Sequence, residues 1–365
     1  MRVVFIINSA QNQRCIKRVN EFVKNGYEVA AYAFTRGKEL RNKLNFDLQI
    51  IGSFTNDTTY KNRLKLMFQS IKKVIKLYEN EEVLFYLFSL DIAMLYRLQC
   101  GRKYIYEESD LVHTYVQNKL VRNILRVIDK KIVLNSVLTV FTSEGFARYH
   151  FGEGTYKNNI IVPNRLTPDI LNYPLIEKKD ININKIRFGF VGAVRFKSLY
   201  NLAITILETF PQHEFHFYGT INSNRDGDFE SLDKYDNCYL HGVFQNPVDL
   251  PAIYSNVDIL ISTYDMIEEN VKYAEPNKLY ESIYFETPIV VTSGTFLANK
   301  VKKLGIGYDV DPMNKESVIN FVKGLSSGNI QIKINNCKKI EKKETLNIND
   351  ELFKRLESVL GDSLK

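Results

Sequence analysis

Two stretches of the chain carry the residue types and the spacing that chemistry requires. The first runs from Ala274 to Thr292, where Pro276 opens a helical pattern and a Thr-Pro turn precedes a buried strand. A polar loop that leads into a helix N-terminus offers unpaired backbone N–H groups to an anion, usually a phosphate. Glu281 falls about one turn inside that helix, so its carboxylate can reach a sugar hydroxyl beside the phosphates. An ordinary helix–turn–strand unit of an α/β domain is the alternative interpretation.

The second stretch runs from Arg187 to Lys197 and combines a buried strand with two cations. Gly192 ends the strand and permits a close approach of the backbone, and Arg195 and Lys197 follow at once. Ligands bind at the carboxyl edge of the first strand of a doubly wound domain. Cations fixed at this edge stabilise the negative charge that develops on a departing group. A basic surface loop is the alternative interpretation.

Together the two stretches resemble the nucleotide-sugar site of glycosyltransferases with the GT-B fold, especially the large retaining, family 4-like group that builds bacterial polysaccharides. The resemblance implies that Glu281 holds the ribose and that Arg195 and Lys197 neutralise the donor diphosphate. The segments Phe217-Tyr-Gly219 and His241-Gly-Val-Phe244 match the family in order, and the second packs against the nucleotide base in relatives. The donor-binding residues that the resemblance implies are Gly192, Arg195, Lys197, His241, Val243, Glu275, Asn277, Lys278, Leu279 and Glu281.

The chain departs from the family pattern in two places. A related family motif has two glutamates eight residues apart, but Tyr273 stands eight residues before Glu281. Either Glu275 supplies the missing carboxylate or the site works without it. The loop after the first strand lacks the glycine pair that many relatives use for phosphate, and it offers Ser9 and Asn12 as candidate acceptor contacts.

An acidic cluster, Tyr106-Glu-Glu-Ser-Asp110, follows a strand in the first half, with His113 one turn later. Relatives place an acid or a histidine here, facing the acceptor. Such a carboxylate can act as a general base, or in a retaining mechanism it can orient the acceptor hydroxyl or stabilise positive charge on the sugar. An acidic helix N-terminus favoured by the dipole is the alternative. The candidate catalytic residues are Glu108, Asp110, Arg195 and Lys197, and His113 is a third acceptor contact.

The elements that position these residues alternate between short apolar runs and helical patterns, which is typical of parallel sheets built from βαβ units. With 365 residues the chain is long enough for two domains. The simplest prediction is an α/β protein with two Rossmann-like, doubly wound domains of GT-B architecture and a cleft between them. The first, acceptor domain takes residues 1–165, and the second, donor domain takes residues 166–346. By resemblance alone, a C-terminal helix at residues 347–361 packs back on the first domain.

The element predictions rest on apolar runs for strands and on helical periodicity for helices. The predicted strands are Val3–Ile7, Glu28–Ala33, Val83–Phe88, Tyr104–Tyr106, Leu138–Phe141, Ile160–Val162, Arg187–Val191, Glu214–Tyr218, Asp258–Ser262 and Ile289–Thr292. The predicted helices are Arg14–Lys24, Val116–Leu134, Leu199–Thr209, Lys278–Phe285, Lys315–Leu325 and Asn347–Leu360. The Asn- and Lys-rich residues 328–344 are predicted to form a surface connection.

The net charge of +7 is unevenly distributed. Residues 1–165 hold 26 Lys and Arg against 15 Asp and Glu, whereas the remaining residues hold 23 against 27. Basic stripes in the helical patterns at residues 61–78 and 116–134 predict contact with an anionic membrane surface. Alternatively, each helix packs its apolar side on the sheet and leaves its lysines in solvent. No nucleic-acid-binding motif accompanies the charge, so we expect no nucleic-acid partner.

The four cysteines have neither CxxC nor metal-ligand spacing, which favours a reduced, cytoplasmic compartment. The chain passes from Met1 directly into a strand pattern, and no stretch approaches the ~20 apolar residues of a membrane span. No cluster has metal spacing, and P-loop and dinucleotide fingerprints are missing from the sequence. We therefore expect no cofactor and no essential metal, and a cytoplasmic protein that is peripheral on the inner face of the membrane.

These features predict an enzyme, a glycosyltransferase that moves a hexosyl or related sugar from a nucleotide-sugar donor to an acceptor hydroxyl. Retention follows from the resemblance alone. The expected acceptor is a lipid-linked saccharide in the biosynthesis of a bacterial surface polysaccharide such as capsule, O-antigen or exopolysaccharide. A nucleotide-sugar epimerase of the same fold and a non-catalytic nucleotide-sugar-binding protein remain as alternatives.

Overall fold

The computed structural model describes residues 2–37, 44–55, 57–154, 156–178, 180–221 and 227–361. The chain divides into two compact units, one comprising Met1–Val162 with Asn349–Lys365 and the other comprising Pro163–Ile348. Each unit is built on its own parallel sheet with helices between the strands. The predicted α/β class with two Rossmann-like domains is confirmed.

The first unit contains a parallel sheet whose strands, in the described residues, are β1 Arg2–Ile7, β2 Glu28–Thr35, β3 Leu48–Ser53, β4 Val83–Phe88, β5 Tyr104–Glu108, β6 Leu138–Phe141 and β7 Asn159–Ile161. Their order in the sheet is β3-β2-β1-β4-β5-β6-β7. Every residue of β4 is buried, which explains its continuous apolar sequence. The strand order reverses between β1 and β4, so the carboxyl ends of these two strands form the topological switch point of the unit.

The helices of the first unit that connect these strands are α1 Gln13–Lys24, α2 Tyr60–Leu77, α3 Leu90–Arg97, α4 Lys119–Asn135 and α5 Glu144–Phe151, with a 3-10 turn at Val112–Tyr115. The helix predicted from Val116 begins at Lys119 instead. The cause is Asn118, whose side-chain oxygen accepts hydrogen bonds from the backbone N–H groups of Leu120 and Val121 and so caps the helix there.

The second unit contains a parallel sheet whose described strands are β8 Arg187–Val191, β9 Glu214–Tyr218, β10 Cys238–Gly242, β11 Ile259–Ser262, β12 Ile289–Thr292 and β13 Gly307–Val310. Their order is β10-β9-β8-β11-β12-β13. Here the order reverses between β8 and β11, which places the switch point of this unit at their carboxyl ends. The strands β3, β10 and β13 were missed from the sequence, and all three lie at the edge of a sheet.

The helices of the second unit are α6 Lys197–Thr209, α7 Leu250–Ser255, α8 Glu269–Tyr273, α9 Asn277–Tyr284, α10 Phe296–Leu304, α11 Lys315–Lys323 and α12 Ser327–Lys338, with 3-10 turns at Pro168–Asn172, Glu230–Lys234 and Lys342–Thr345. The predicted surface connection at residues 328–344 is wrong, because most of it is α12. Ser326 and Asn329 form a capping box at the start of α12, and Ile330 and Cys337 bury one side of it.

The last helix, α13 Asp350–Leu360, belongs to the first unit. Its apolar face is buried, and the ring of Phe353 packs edge-on against Phe22 of α1 at a centroid distance of 5.1 Å. Asn349, just before the helix, donates a 2.9 Å hydrogen bond to Glu21 of α1. Among the described helices, none is long and apolar enough to cross a membrane.

Candidate functional site

Two glycines bring the backbones after β8 and β9 together at the carboxyl edge of the second sheet. Gly192 and Gly219 both have φ of 136°, a conformation that favours glycine. A Cβ atom on Gly219 would lie 1.9 Å from the carbonyl oxygen of Gly192, so no side chain fits there. The predicted site residue Gly192 therefore presents bare backbone at the edge where ligands bind in this class of fold.

The side chain of Lys278 lies at the switch point between β8 and β11. Its Nζ is 4.5 Å from the ring centre of Phe190 on β8 and 3.5 Å from the hydroxyl of Tyr264, which follows β11. The same Nζ is 3.0 Å from the place that a Cβ atom of Gly192 would take. The two stretches that the sequence singled out therefore meet at this ammonium group.

Helix α9 supplies Lys278 and, one turn after its first residue Asn277, the buried Glu281. Oε2 of Glu281 accepts a 2.6 Å hydrogen bond from the hydroxyl of Tyr254. Pro276 precedes the helix, and its side chain cannot accept a hydrogen bond from the first N–H groups. The positive end of the helix dipole therefore lies beside the Lys278 ammonium, as an anion site requires.

Two predicted donor residues next to this site have structural contacts of their own. Leu279 is buried in the core, and its N–H donates to the carbonyl of Pro276. Glu275 is also buried, with Oε2 2.8 Å from Nζ of Lys300 and Oε1 accepting from the hydroxyl of Tyr280. Both oxygens of Glu275 already have partners, so its contacts fit support of the loop better than a direct role with a ligand.

Arg195 lies in the loop after β8 and Lys197 is the first residue of α6, and both side chains are exposed. The guanidinium of Arg195 lies over the ring of Phe196, 4.9 Å from its centre. None of the described ion pairs involves either cation. The N-terminus of α6 itself is occupied by Asp265, whose carboxylate accepts hydrogen bonds from the N–H groups of Lys197 and Ser198 at 3.2 and 2.7 Å. An anion can therefore bind the side chains of Arg195 and Lys197, but not the backbone N–H groups at the start of α6, which Asp265 occupies.

The predicted base-binding residues lie on and after β10. The imidazole of His241 stacks on the Tyr218 ring at 4.1 Å, and its Nε2 is 3.0 Å from Nδ1 of His216. Burial lowers the pKa of both histidines, so we treat them as neutral near pH 7. Val243 is exposed two residues later. This flat aromatic surface with an apolar residue beside it suits a planar nucleotide base.

A cavity of about 410 Å³ opens at the switch point of the first sheet. Its lining includes residues that follow β1, β4 and β5, namely Asn8, Ser89 and Asp110. Of the predicted acceptor-side residues, Asn12 and Asp110 line this cavity, and the hydroxyl of Tyr115 lies 3.4 Å from the Asp110 carboxylate. Ser9 is not part of the lining, and its hydroxyl donates to the side-chain oxygen of Gln11.

The other acids of the predicted cluster point into the interior of the first unit. Glu107 is buried against Arg18, with a 2.9 Å contact between Nε of Arg18 and Oε2 of Glu107. Glu108 is fully buried, and both of its oxygens lie within 3.0 Å of Nε2 of His150. Glu108 is the last residue of β5 and is fully buried, whereas Asp110 lies beyond the end of the strand, so the structure brings Asp110 to the cavity and keeps Glu108 away from it.

His113 is also fully buried, which separates it from the acceptor role predicted for it. Its Nδ1 is 3.0 Å from Asp129 and its Nε2 is 3.0 Å from the hydroxyl of Tyr149. Asp129 accepts a further hydrogen bond from Tyr106. The histidine and the aspartate thus satisfy each other, and the Asp129 carboxylate lies within 4.8 Å of that of Glu108.

One group in the described residues has the geometry to hold a metal ion, and it consists of Glu108, Asp129 and His150 with ligand atoms within 4.8 Å of one another. These residues come from β5, α4 and α5, so their spacing in the sequence could not indicate the group. The hydrogen bonds between Glu108 and His150, and from Tyr106 to Asp129, already account for the buried polar atoms. The contacts therefore fit buried polar side chains that satisfy one another's hydrogen bonds.

Several residues of the two sites were not found from the sequence. Ser89 has φ of 77°, a strained conformation for a residue other than glycine, and it lies at the cavity of the first unit. Arg36, Arg63 and Asp91 line the same cavity. In the second unit the missed residues are Tyr254, Tyr264 and Asp265. Single residues without a motif give no sequence pattern, and only the sheet topology brings them together.

The two predicted basic helices differ in what they expose. In α2 the lysines are exposed and Met67, Ile71 and Val74 are buried, as expected for a helix that lies on a sheet. In α4 an outward-facing stripe is apolar: Leu120, Ile124, Val127 and Leu134 are 70%, 52%, 55% and 47% exposed. Its acidic residue, Asp129, is buried, while Lys119, Arg126, Lys130 and Lys131 are exposed.

Neither a protein-family model nor a curated protein sequence matches the chain. Solved structures do match it along almost the whole length. HepE of Anabaena in complex with UDP has a TM-score of 0.72 at 12% identity, covering 98% of this chain and 100% of that one. Sucrose-phosphate synthase of Thermosynechococcus elongatus has a TM-score of 0.68 at 14% identity, covering 98% and 99%.

A third match is an epimerase. The UDP-GlcNAc 2-epimerase of Neisseria meningitidis, bound to UDP-GlcNAc, has a TM-score of 0.66 at 13% identity, covering 99% of this chain and 100% of that one. Identities this low establish the fold and leave the activity open. The chain has the GT-B fold, as the resemblance predicted.

Proposed function

We propose that this protein is a glycosyltransferase that transfers a sugar from a nucleotide-sugar donor to an acceptor hydroxyl. The observation that carries the proposal is the position of Lys278, whose ammonium contacts the Gly192 loop at the switch point while Glu281 lies one turn along the same helix. A cation, bare backbone and a carboxylate are the groups that a diphosphate and a ribose require. HepE binds UDP and the Neisseria epimerase binds UDP-GlcNAc on the same fold, which supports a nucleotide-sugar ligand.

In this proposal Glu281 accepts hydrogen bonds from the ribose hydroxyls, and His241 with Val243 flanks the base. Lys278 contacts the diphosphate at the switch point, and the exposed Arg195 and Lys197 add charge from the loop after β8 and from the first residue of α6. Negative charge accumulates on the diphosphate as the glycosidic bond breaks, so cations fixed beforehand lower the barrier. These cations let the reaction proceed without an essential metal, which is also part of the proposal.

On the acceptor side, Asp110 is the carboxylate that we assign to the acceptor hydroxyl. It lines the cavity at the switch point of the first sheet with Asn12, whereas Glu108 and His113 are buried. In a retaining reaction, Asp110 orients the hydroxyl or stabilises positive charge on the sugar. Retention itself follows from the resemblance to the retaining GT-B enzymes.

We further propose that the protein works in the cytoplasm on a lipid-linked saccharide at an anionic membrane surface, in the biosynthesis of a surface polysaccharide. The apolar stripe of α4 and its basic neighbours support this localisation, because apolar insertion and attraction to anionic lipid act together. The lysines of α2 add electrostatic attraction alone.

The test is a thermal-shift panel with UDP, GDP, CMP and TDP sugars, followed by incubation of the stabilising nucleotide sugar with and without saccharide acceptors. Saturating ligand should raise the melting temperature for one nucleotide class, since ligands that bind only the folded state stabilise it. Release of the nucleoside diphosphate that depends on the acceptor supports a transferase. Conversion of UDP-GlcNAc to its 2-epimer without an acceptor would instead support the epimerase, and stabilisation without any reaction would support the non-catalytic alternative.

A further inference from the structure

Two residues that line the cavity of the first unit each have a buried polar atom without a hydrogen-bond partner among the described residues. These atoms are Oδ1 of Asn8, which can only accept, and Nε of Arg63, which can only donate. Buried polar atoms are nearly always paired, so these two atoms mark a part of the cavity wall whose polar groups lack partners within the protein.

The guanidinium of Arg63 is poorly neutralised. Its nearest carboxylate is Asp91, with Oδ2 of Asp91 3.9 Å from Nη2 of Arg63, which is too long for a hydrogen bond. The other oxygen of Asp91 accepts hydrogen bonds from the hydroxyl of Ser89 and the N–H of Ile92 at 2.6 and 3.0 Å. The Asp91 carboxylate is therefore committed to the start of α3, and the donors of Arg63 remain available to a ligand.

Arg36 lines the same cavity, and none of the described ion pairs involves it. The cavity lining thus combines two guanidinium groups, those of Arg36 and Arg63, with two carboxylates, those of Asp91 and Asp110. A guanidinium presents parallel N–H donors that match the two oxygens of a carboxylate or a phosphate. The hydroxyl oxygens of a neutral sugar can accept from these donors, but they supply neither the charge nor the paired oxygens that a guanidinium matches.

We propose that the acceptor is a saccharide that carries an oxyanion, a carboxylate or a phosphate, bound by Arg63 and Arg36 in this cavity. The inference rests on the proposed function, because it names the acceptor class of the same site. The oxyanion takes the guanidinium donors, and the reacting hydroxyl faces Asp110. Arg63 and Arg36 therefore determine specificity for the acceptor, and Asp110 acts on its hydroxyl.

The test is calorimetric titration of the full-length protein with four ligands: glucose, glucuronate, glucose 6-phosphate and inorganic phosphate. We expect glucuronate or glucose 6-phosphate to bind at least about tenfold more tightly than glucose, as a charge-assisted, bidentate contact provides. Tighter binding of glucuronate identifies the oxyanion as a carboxylate, and tighter binding of glucose 6-phosphate identifies it as a phosphate. Equal binding of glucose and both anionic sugars would overturn the proposal, and so would phosphate alone binding as tightly as the sugar phosphate.

Two variants and one control make the assignment specific to the cavity. Arg63→Gln and Arg36→Gln should each reduce the preference for the anionic sugar to less than about threefold. Arg148→Gln, which changes an exposed arginine of α5 that pairs with Glu144 and Glu153, should leave the preference intact. Arg63 also lies over the ring of Phe54, so its replacement can impair folding. In that case, the ligand preference of Arg36→Gln tests the proposal.

The outcome is separable from that of the proposed function. Stabilisation by a nucleotide sugar together with no preference among the four ligands overturns the oxyanion site and keeps the transferase. A clear anion preference in a protein that binds no nucleotide sugar keeps the oxyanion-binding cavity and overturns its role as an acceptor site.

Discussion

The hydroxyl of Tyr254 donates a 2.6 Å hydrogen bond to Oε2 of Glu281, so the carboxylate that we place on the donor ribose is held by a residue of another helix. Tyr254 is fully buried on α7, and its ring stacks on Phe285 at 4.4 Å. Burial and the neighbouring Glu281 charge raise the pKa of Tyr254 well above its usual value, so the phenol stays protonated and remains a donor. Tyr254 therefore fixes the position of Glu281 before any ligand binds.

Removing that hydroxyl tests the support it gives. Tyr254→Phe should lower the free energy of unfolding by about 1–3 kcal/mol, because a buried carboxylate loses a partner, and should weaken donor binding several-fold. Urea unfolding and calorimetry with the nucleotide sugar measure the two effects. Tyr235→Phe is the matched control, since the Tyr235 hydroxyl also contacts a carboxylate, Glu208, but at the surface. Equal behaviour of the two variants would contradict the role of Tyr254.

The second prediction concerns donor binding by the cations and the acid of the donor site. Losing a charge-assisted contact should cost about 1.5–3 kcal/mol, so Glu281→Ala, Lys197→Ala and Lys278→Met should each weaken donor binding roughly tenfold or more without unfolding the protein. Among the lysines, we expect Lys278→Met to have the larger effect because its ammonium contacts the Gly192 loop, whereas Lys197 is exposed.

Lys302→Met is the control for this series, because Lys302 is exposed on α10 and pairs with Asp309. Its donor affinity should match that of the unaltered protein. Unchanged donor affinity in the Glu281 and lysine variants would contradict the assignment of the donor site.

The third prediction separates the two acids of the cluster after β5. Asp110→Asn should lower kcat by roughly 10²–10⁴-fold with little change in donor affinity, as expected when a group acting on the acceptor hydroxyl is lost. Glu108→Gln should affect folding more than turnover, since that carboxylate is buried against His150. Steady-state kinetics on both variants decides the matter, and a large loss of kcat in Glu108→Gln alone would reverse the assignment.

How far the sequence predicts the fold depends on where a strand lies in its sheet. The central strands, such as β4 and β12, are buried on both faces and appear as continuous apolar runs, so the sequence locates them. The missed strands β3, β10 and β13 lie at sheet edges and contain exposed or half-buried residues. Their apolar content is too low to mark a strand, and pairing with a neighbour decides their structure.

The donor site is more predictable than the acceptor side for a similar reason. Gly192, Lys278 and Glu281 lie in segments with a continuous pattern, and the structure brings them together. At the cavity of the first unit, Asp110 and the buried Glu108 are two residues apart in the sequence. Which of the two reaches the cavity depends on where β5 ends: the apolar run predicts an end at Tyr106, whereas the strand continues to Glu108 and leaves Asp110 beyond it.

The fourth prediction concerns pH, through the buried pair of Glu108 and His150. Burial, with the nearby Asp129 carboxylate, raises the pKa of Glu108 to about 8. Burial acts to lower the pKa of His150, but the neighbouring Glu108 carboxylate raises this pKa above its usual 6.5. Groups with a raised pKa in the folded state contribute stability at low pH and lose it as pH rises. We therefore expect the free energy of unfolding to fall between pH 6.5 and 8.

The histidines of the second unit do not contribute to the change in the free energy of unfolding between pH 6.5 and 8. Burial lowers the pKa of His213, His216 and His241, so their contribution rises with pH but is complete at about 6.5, the value of an unfolded histidine. Glu108→Gln should flatten the dependence above pH 6.5, whereas Glu144→Gln on the surface of α5 should keep it. Urea unfolding at several pH values measures how the free energy of unfolding changes with pH. A stability that rises from pH 6.5 to 8 would contradict the raised pKa values of Glu108 and His150.

The fifth prediction is that the apolar stripe of α4 carries the membrane contact. Ile124 lies in the centre of the stripe and is 52% exposed, so Ile124→Glu removes apolar area and adds a charge that anionic lipid repels. Co-sedimentation with phosphatidylglycerol vesicles should fall at least about tenfold, since burying one such side chain contributes about 1.5–3 kcal/mol. Leu77→Glu makes the same kind of change at a 62% exposed position at the end of α2 and should reduce binding by less than about threefold.

A salt series separates electrostatic attraction from apolar insertion, because added salt screens the lysines but leaves apolar insertion in place. Binding that disappears completely in high salt, or that responds equally to both variants, would show that charge alone holds the protein and that the α4 stripe does not insert.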